Sequence, residues 1–415
     1  MGAGSMGLGI AYQIGRTPGM ELAVVADVDR AAAEAAARLV PGASLVEIAA
    51  AQRSTPGQVA VGTDILPALE GNPLNVDVFV ESTNTIEFAA RACVAALQSR
   101  IHVVLMNAEI DLLLGPWLHR LAQDNGVGVT SDAGDQHGVL MRMIEEIELW
   151  GFRIVMGGNI KGFLNRRATI ASIAEEARIR ALNPVQCVAY TDGTKLNIEM
   201  ALLANATGML PYCRGMEGPS AKDVRDVFGK FDFTRYDRRG VVDYIVGAEP
   251  GGGVFVVGHC DETFQQAYLK YYKLGDGPFY LFYRPYHLCH LETPSAIAEL
   301  CLRHKPVLAP HHGKATEVIG FAKRDLPKGT KISHGIGCDE LYGLIERREV
   351  ILREDAVPVS LLDSEARQPF VLTRDLARDQ IVTFADLELP ESLLTRLYRE
   401  QEAMLLQAGS GVTQS

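Results

Sequence analysis

Several things are scarce or missing in this 415-residue sequence, and each absence narrows its function. No apolar run approaches the ~18 to 20 residues that a membrane-spanning helix needs. Positive charge is short: 40 Lys and Arg face 51 Asp and Glu, a net charge of -11. A surface of that sign repels phosphodiester backbones and anionic lipid headgroups, so general nucleic-acid or membrane binding is not expected. Cysteine is sparse and scattered, with seven residues (93, 187, 213, 260, 289, 301 and 338) and no C-x-x-C. An odd, dispersed set reads as reduced thiols rather than a disulfide framework or a zinc site. No basic, apolar, small-residue leader pattern opens the sequence, and the expected compartment is the cytoplasm.

What is present is glycine, at the very start. MGAGSMGLG contains Gly2, Gly4 and Gly7 as a G-x-G-x-x-G, the spacing that lets a backbone wrap around a dinucleotide pyrophosphate at a helix N-terminus. That motif by itself is weak. Its context strengthens it. LGIAYQIGRT reads as a short helix, MELAVVADVDR as an apolar strand ending in acids, and AAAEAAARLV as a strong helix former. VDVFVESTNT with IEFAARACVAALQS, and IHVVLMNAE with IDLLLGPWLHRLAQDNG, repeat strand then helix, and GVGVTSDAGD closes the series. Such alternation predicts an α/β, Rossmann-type doubly wound parallel sheet. A strand is expected immediately before the first glycine, and Met1 stands where that strand would end.

Ligands gather at the carboxyl ends of strands in this architecture, which selects the candidate cofactor residues. They are Gly2, Gly4, Ser5, Met6 and Gly7 in the loop, then Asp27, placed to accept hydrogen bonds from ribose hydroxyls, and Arg30 beside it. Asp27 repels a 2′-phosphate while Arg30 could offset that, so the residues leave NAD and NADP both open. Thr83, Asn84 and Asn107 follow later strands and suit either cofactor contact or helix capping.

From about residue 136 to 290 the alternation stops, and an α+β substrate domain is expected. VLMRMIEEIELWGF reads as an amphipathic helix, and FRIVMGG and VQCVAYTDG as strands. In TDGTKLNIEM, Lys195, Asn197 and Glu199 share a face if the segment is a strand. If it is a helix, Lys195 and Glu199 pair four residues apart. Either way a lysine and a carboxylate are neighbours in an apolar stretch, a pairing that suits proton transfer or grip on a substrate oxygen. Lys195, Glu199 and His287 are the candidate catalytic residues. Glu109, Lys161, Asn165, Arg166, Asn205 and Arg284 are the candidate substrate contacts, with Lys161, Arg166 and Arg167 as a basic group for an anionic substrate. His287 and His290 stand three apart without a convincing third ligand, so no metal site is assigned.

Two stretches carry resemblances. VVLMNAEIDLLLGPWLHRLAQDNGV and KGFLNRRATI are similar to segments of homoserine dehydrogenases, with Glu109 where that family has lysine. NAEID, TDGTKLNIEMALLANATG, GMEGP, VVDYIVG, GVFVV and RPYHL resemble the homoserine-dehydrogenase-like oxidoreductases that carry a C-terminal SAF domain, one branch of which comprises the DXP-reductoisomerase-like enzymes. The resemblance implies NAD(P)-dependent hydride transfer on a small polyol, sugar acid or sugar phosphate, slightly favours NADP, and implies a homo-oligomer. The reductoisomerase branch would also need a divalent metal. A cofactor-binding sensor without turnover, and an epimerase or dehydratase with tightly held NAD, are the alternatives.

The paired turns Arg324-Asp325-Leu326 and Arg374-Asp375-Leu376 resemble the halves of a SAF domain. The domain expectation is therefore 1–135 Rossmann, 136–290 substrate domain and 317–395 a small β-rich module. Residues 291–316 would pack back on the first domain, and a disordered tail is expected from about 404.

Overall fold

The computed structural model describes residues 1–51, 55, 57–179, 182–364 and 368–411. The protein is a mixed α/β structure with parallel sheets and a small C-terminal β module. The chain divides into two compact units, the first comprising Met1–Asp135, Leu288–Ala309 and Ser392–Ser415, the second Gln136–His287 and Pro310–Glu391. Among the described residues no helix is long and apolar enough to cross a membrane. All seven cysteines are free.

The first unit holds two three-stranded parallel sheets. One has the order Val24–Ala26, Gln58–Gly62, Ser44–Glu47, and the other Val78–Glu81, His102–Leu105, Val129–Ser131. Met1 and Gly2 bond to both. The Gly2 N–H donates to Ala26 O (2.9 Å), the Met1 amine donates to Val80 O (2.8 Å), and Ser82 N–H donates to Met1 O (3.0 Å). These two residues thus satisfy backbone groups of both sheets. The helix Arg30–Ala37 is capped by Asp29, whose side chain accepts from Ala31 N–H. Its alanines Ala33, Ala36 and Ala37 are small enough to let it lie close against Val25, Val59 and Val61.

The helix Cys289–Arg303 returns to the first unit, where Ala296 and Leu300 pack with Val104 and Ala133. The expected disordered tail is instead helical as far as Gly411, in a helix that begins at Leu393. Gln401 explains why it is held: its buried side-chain amide donates to Leu113 O (2.7 Å) and accepts from Trp117 N–H (3.1 Å). Residues 412–415 lie outside the described residues.

The second unit is built on a five-stranded mixed sheet, ordered Phe279–Arg284, Val254–His259, Arg153–Lys161, Val241–Val246, Leu210–Pro211. VQCVAYT, expected as a strand, is the helix Pro184–Thr191. Pro184 at its first turn and Asn183, which caps Val185 N–H, set a helix start that outweighs the β-branched content. TDGTKLNIEM runs into the helix Thr194–Thr207, so the strand alternative for Lys195 and Glu199 falls and the two stand four residues apart on a helix.

Residues 194–206 of that helix are all buried. A helix buried on every side must be covered on every side, and the polar groups it carries need partners within the protein. Leu203 faces Gly157 of the sheet, while Thr194 Oγ1 accepts from Gly343 N–H (2.8 Å) and Asn197 Oδ1 from Ile345 N–H (2.9 Å) of the C-terminal module.

That module carries an internal symmetry. Leu326 and Leu376 exchange both backbone hydrogen bonds, each 2.8 Å. Asp325 accepts from Arg378 N–H (2.8 Å), and Asp375 accepts from Lys328 N–H (2.6 Å). The two Arg-Asp-Leu turns therefore clasp each other reciprocally.

Candidate active site

In the first unit the three motif glycines do three different jobs. Gly2 has φ +88°, a conformation side chains resist, and a Cβ there would lie 2.8 Å from Ser82 O. A Cβ at Gly7 would sit 1.8 Å from Gly2 O, so the helix Ser5–Ile14 can approach the loop only with glycine there. A Cβ at Gly4 meets nothing within 4 Å. Gly4 thus leaves open space over the helix N-terminus, the place a pyrophosphate takes in this motif. The residues present fit a dinucleotide.

Asp27 ends the Val24–Ala26 strand and holds the loop: Oδ2 accepts from Ala3 N–H (2.6 Å) and Oδ1 from Asp29 N–H (2.8 Å). Arg30 is committed to carboxylates, donating to Glu34 (2.9 Å) and to Glu47 (2.8 Å). Ser5 is exposed and Met6 lies at the surface of the first turn.

Thr83 and Asn84 do not cap the next helix, whose N-cap is Ile86. Thr83 donates its hydroxyl (2.5 Å) and its N–H (2.8 Å) to Glu81, while Asn84 is exposed. Asn107 does cap its helix, accepting from Ile110 N–H, and donates to Thr85 O (2.7 Å). Both ends of its amide are thereby used within the protein. Glu109 sits in the first turn of that helix, half-buried.

Glu81 is the residue that sequence reasoning missed in this unit. It is fully buried, and desolvation pushes its carboxyl up to about 7, with hydrogen bonds from Thr83 opposing the rise. Its position as the last residue of an apolar strand was the available signal.

In the second unit the strand Arg153–Lys161 turns Gly157, Asn159 and Lys161 to one face. The helix Thr194–Thr207 lies against that face: Leu203 opposes Gly157, and Glu199, one turn earlier, meets Asn159 and Lys161. Asn159 Nδ2 donates to Glu199 Oε2 (3.1 Å), and Lys161 Nζ lies 3.8 Å from the same oxygen. Lys195 is one further turn along the helix. Relative exposure falls from 13% for the Lys161 side chain to 9% for Lys195, 1% for Glu199 and 0% for Asn159. The cluster is a buried polar group whose two lysines are its more exposed members.

The expected basic group does not assemble. Lys161 turns inward to Glu199, and Arg167 is bound by both oxygens of Asp379 (2.6 Å each). Arg166 is exposed, with its charge near the hydroxyls of Tyr244 and Tyr342. Asn165 accepts from Arg167 N–H (3.0 Å), shaping the turn. Asn205 is occupied by Thr316, accepting from its N–H (2.8 Å) and donating to its carbonyl (3.2 Å). Arg284 stacks on Tyr286, and His287 Nδ1 meets Gly252 O (2.8 Å). His290 belongs to the first unit, where its ring covers Gly9.

Residues 134–293 match the family described as oxidoreductase DRL, catalytic domain. Asn159, Lys161, Lys195 and Glu199 fall inside that span, which is similar to an oxidoreductase catalytic domain. Among solved structures, a hyperthermophilic archaeal homoserine dehydrogenase in complex with NADPH is 14% identical, over 74% of this chain and 97% of that one (TM-score 0.42). A homoserine dehydrogenase from Thiobacillus denitrificans is 14% identical over 90% and 96% (TM-score 0.45). A myo-inositol dehydrogenase from Sinorhizobium meliloti, so described provisionally, is 13% identical over 82% and 79% (TM-score 0.33). No curated protein matches the sequence.

Proposed function

We propose that the protein is an NAD(P)-dependent oxidoreductase acting on a CH–OH group, or the corresponding carbonyl, of a small polyol, sugar acid or sugar phosphate. The observation that carries this reading is the division of labour among Gly2, Gly4 and Gly7, together with a buried lysine–carboxylate group inside the matched catalytic span. A bound nicotinamide supplies or accepts the hydride. Lys195 donates a hydrogen bond to the reacting oxygen and passes or takes its proton, and Glu199 orients that ammonium. Lys161 shares Glu199 and adds positive potential for an anionic substrate.

NAD is the better fit of the two dinucleotides. Arg30, the residue that could have met a 2′-phosphate, is bound by Glu34 and Glu47, and Asp27, Asp29 and Glu47 make the strand end acidic. The reciprocal clasp of the Asp325 and Asp375 turns supports reading residues 317–395 as a SAF-like module.

Fluorescence titration with NADH and NADPH, followed by absorbance assays over a panel of hydroxy acids, polyols and keto sugar phosphates, tests this reading. Lys195→Ala should abolish turnover while leaving cofactor affinity within about twofold. Failure to bind either dinucleotide would sink the proposal. Activity abolished by EDTA would favour the metal-dependent reductoisomerase instead.

A further inference from the structure

The side-chain oxygen of Asn159, Oδ1, is buried and has no hydrogen-bond partner among the described residues. Its amide nitrogen is accounted for by Glu199. Leaving an amide oxygen unpaired in a low-dielectric interior costs about 1–3 kcal/mol, and natural interiors seldom tolerate it without cause. Reversing the amide would not help, because the oxygen would then face the Glu199 carboxylate.

The position is built rather than incidental. Gly157 lies two residues back on the same strand face, and a Cβ there would come within 2.9 Å of Leu203. Its absence lets the helix approach closely enough for a side chain as short as asparagine to reach Glu199. The unpaired oxygen therefore belongs to a buried side chain held by Glu199, the carboxylate that Lys161 also approaches.

Resting on the proposed function, we propose that Asn159 is a specificity-determining residue that accepts a hydrogen bond from a second hydroxyl of the substrate, beyond the hydroxyl or carbonyl that reacts. The substrate class is then a polyhydroxylated acid or sugar derivative rather than a simple 2-hydroxy acid or an aldehyde. Discrimination follows from what is left unsatisfied. A substrate lacking that hydroxyl would bury the Asn159 oxygen unpaired, and sites of this kind reject such analogues more strongly than apolar pockets reject a missing methylene.

Glycerate and lactate, which share a three-carbon skeleton and differ by one hydroxyl, are suitable probes. The full chain, saturated with NADH and labelled at asparagine side-chain amides, would be titrated with each, following the Asn159 amide by NMR and affinity by calorimetry. Glycerate should move the Asn159 signal and bind at least roughly tenfold more tightly than lactate. In Asn159→Leu that preference should disappear with NADH affinity unchanged.

A silent Asn159 signal, or equal affinity for the two acids, overturns the inference, and the wild-type NMR experiment decides it even if Asn159→Leu fails to fold. The two readings fail separately. NADH binding with a silent Asn159 removes this inference and leaves the oxidoreductase, whereas absence of NADH binding removes the oxidoreductase itself.

Discussion

Asp27 accepts a hydrogen bond from the backbone N–H of Ala3 at 2.6 Å, tying the acid at the end of one strand to the middle of the glycine loop. The carboxylate fixes the loop before any ligand arrives. Hydrogen bonds to charged groups are worth about 1.5–3 kcal/mol. Asp27→Ala should therefore weaken NADH binding roughly tenfold to a hundredfold, whereas Asp27→Asn, which keeps one acceptor oxygen, should lose less. Equal losses in the two variants would contradict this role.

Gly4 and Gly7 should respond differently to the same substitution. Gly4→Ala adds a methyl to open space, so thermal stability should hold while NADH affinity falls. Gly7→Ala drives a methyl into Gly2 O, so both the melting temperature and binding should fall. Thermal melts paired with cofactor titrations separate the two. Unchanged affinity in Gly4→Ala would show that the space over Gly4 is not where the pyrophosphate lies.

Stability should depend on Glu81 in a direction opposite to that of a surface carboxylate. Burial raises its carboxyl to about 7 in the folded protein, above the unfolded value near 4.3. The folded state then holds the extra proton, so stability is fullest below the unfolded value and is lost as pH rises through about 7. Glu81→Gln removes that loss. The variant should gain on the wild type between about pH 5 and about pH 8, by on the order of 4 kcal/mol at most. Asp111 and Asp132, raised by burial to about 6 and about 7, keep a residual slope of the same sign. Chemical denaturation at a series of pH values measures it, and a constant difference across the range would refute the assignment.

The clasp between the two Arg-Asp-Leu turns predicts matched losses. Asp325→Ala and Asp375→Ala each remove one acceptor for a backbone N–H of the opposite turn. Each should cost about 1 kcal/mol, and the two melting temperatures should fall together. A large cost for one and none for the other would mean that the turns are not equivalent.

The sequence by itself determined the parts whose signal is local. Glycine spacing needs no partner to be recognised, because backbone freedom is a property of the residue. Strand and helix alternation in the first 135 residues follows from apolar period and helix propensity. Tertiary structure decided the rest, because a side chain's role depends on which groups compete for it. Arg30 looked available until Glu34 and Glu47 were placed around it, and Arg167 until Asp379 was. Asn205 had the chemistry to hold a substrate and is occupied by Thr316, a residue 111 positions away. Asn159 lay unremarked in an apolar strand. Its importance comes from Glu199 on a helix packed against it and from the missing side chain of Gly157, a juxtaposition that no spacing along the chain encodes.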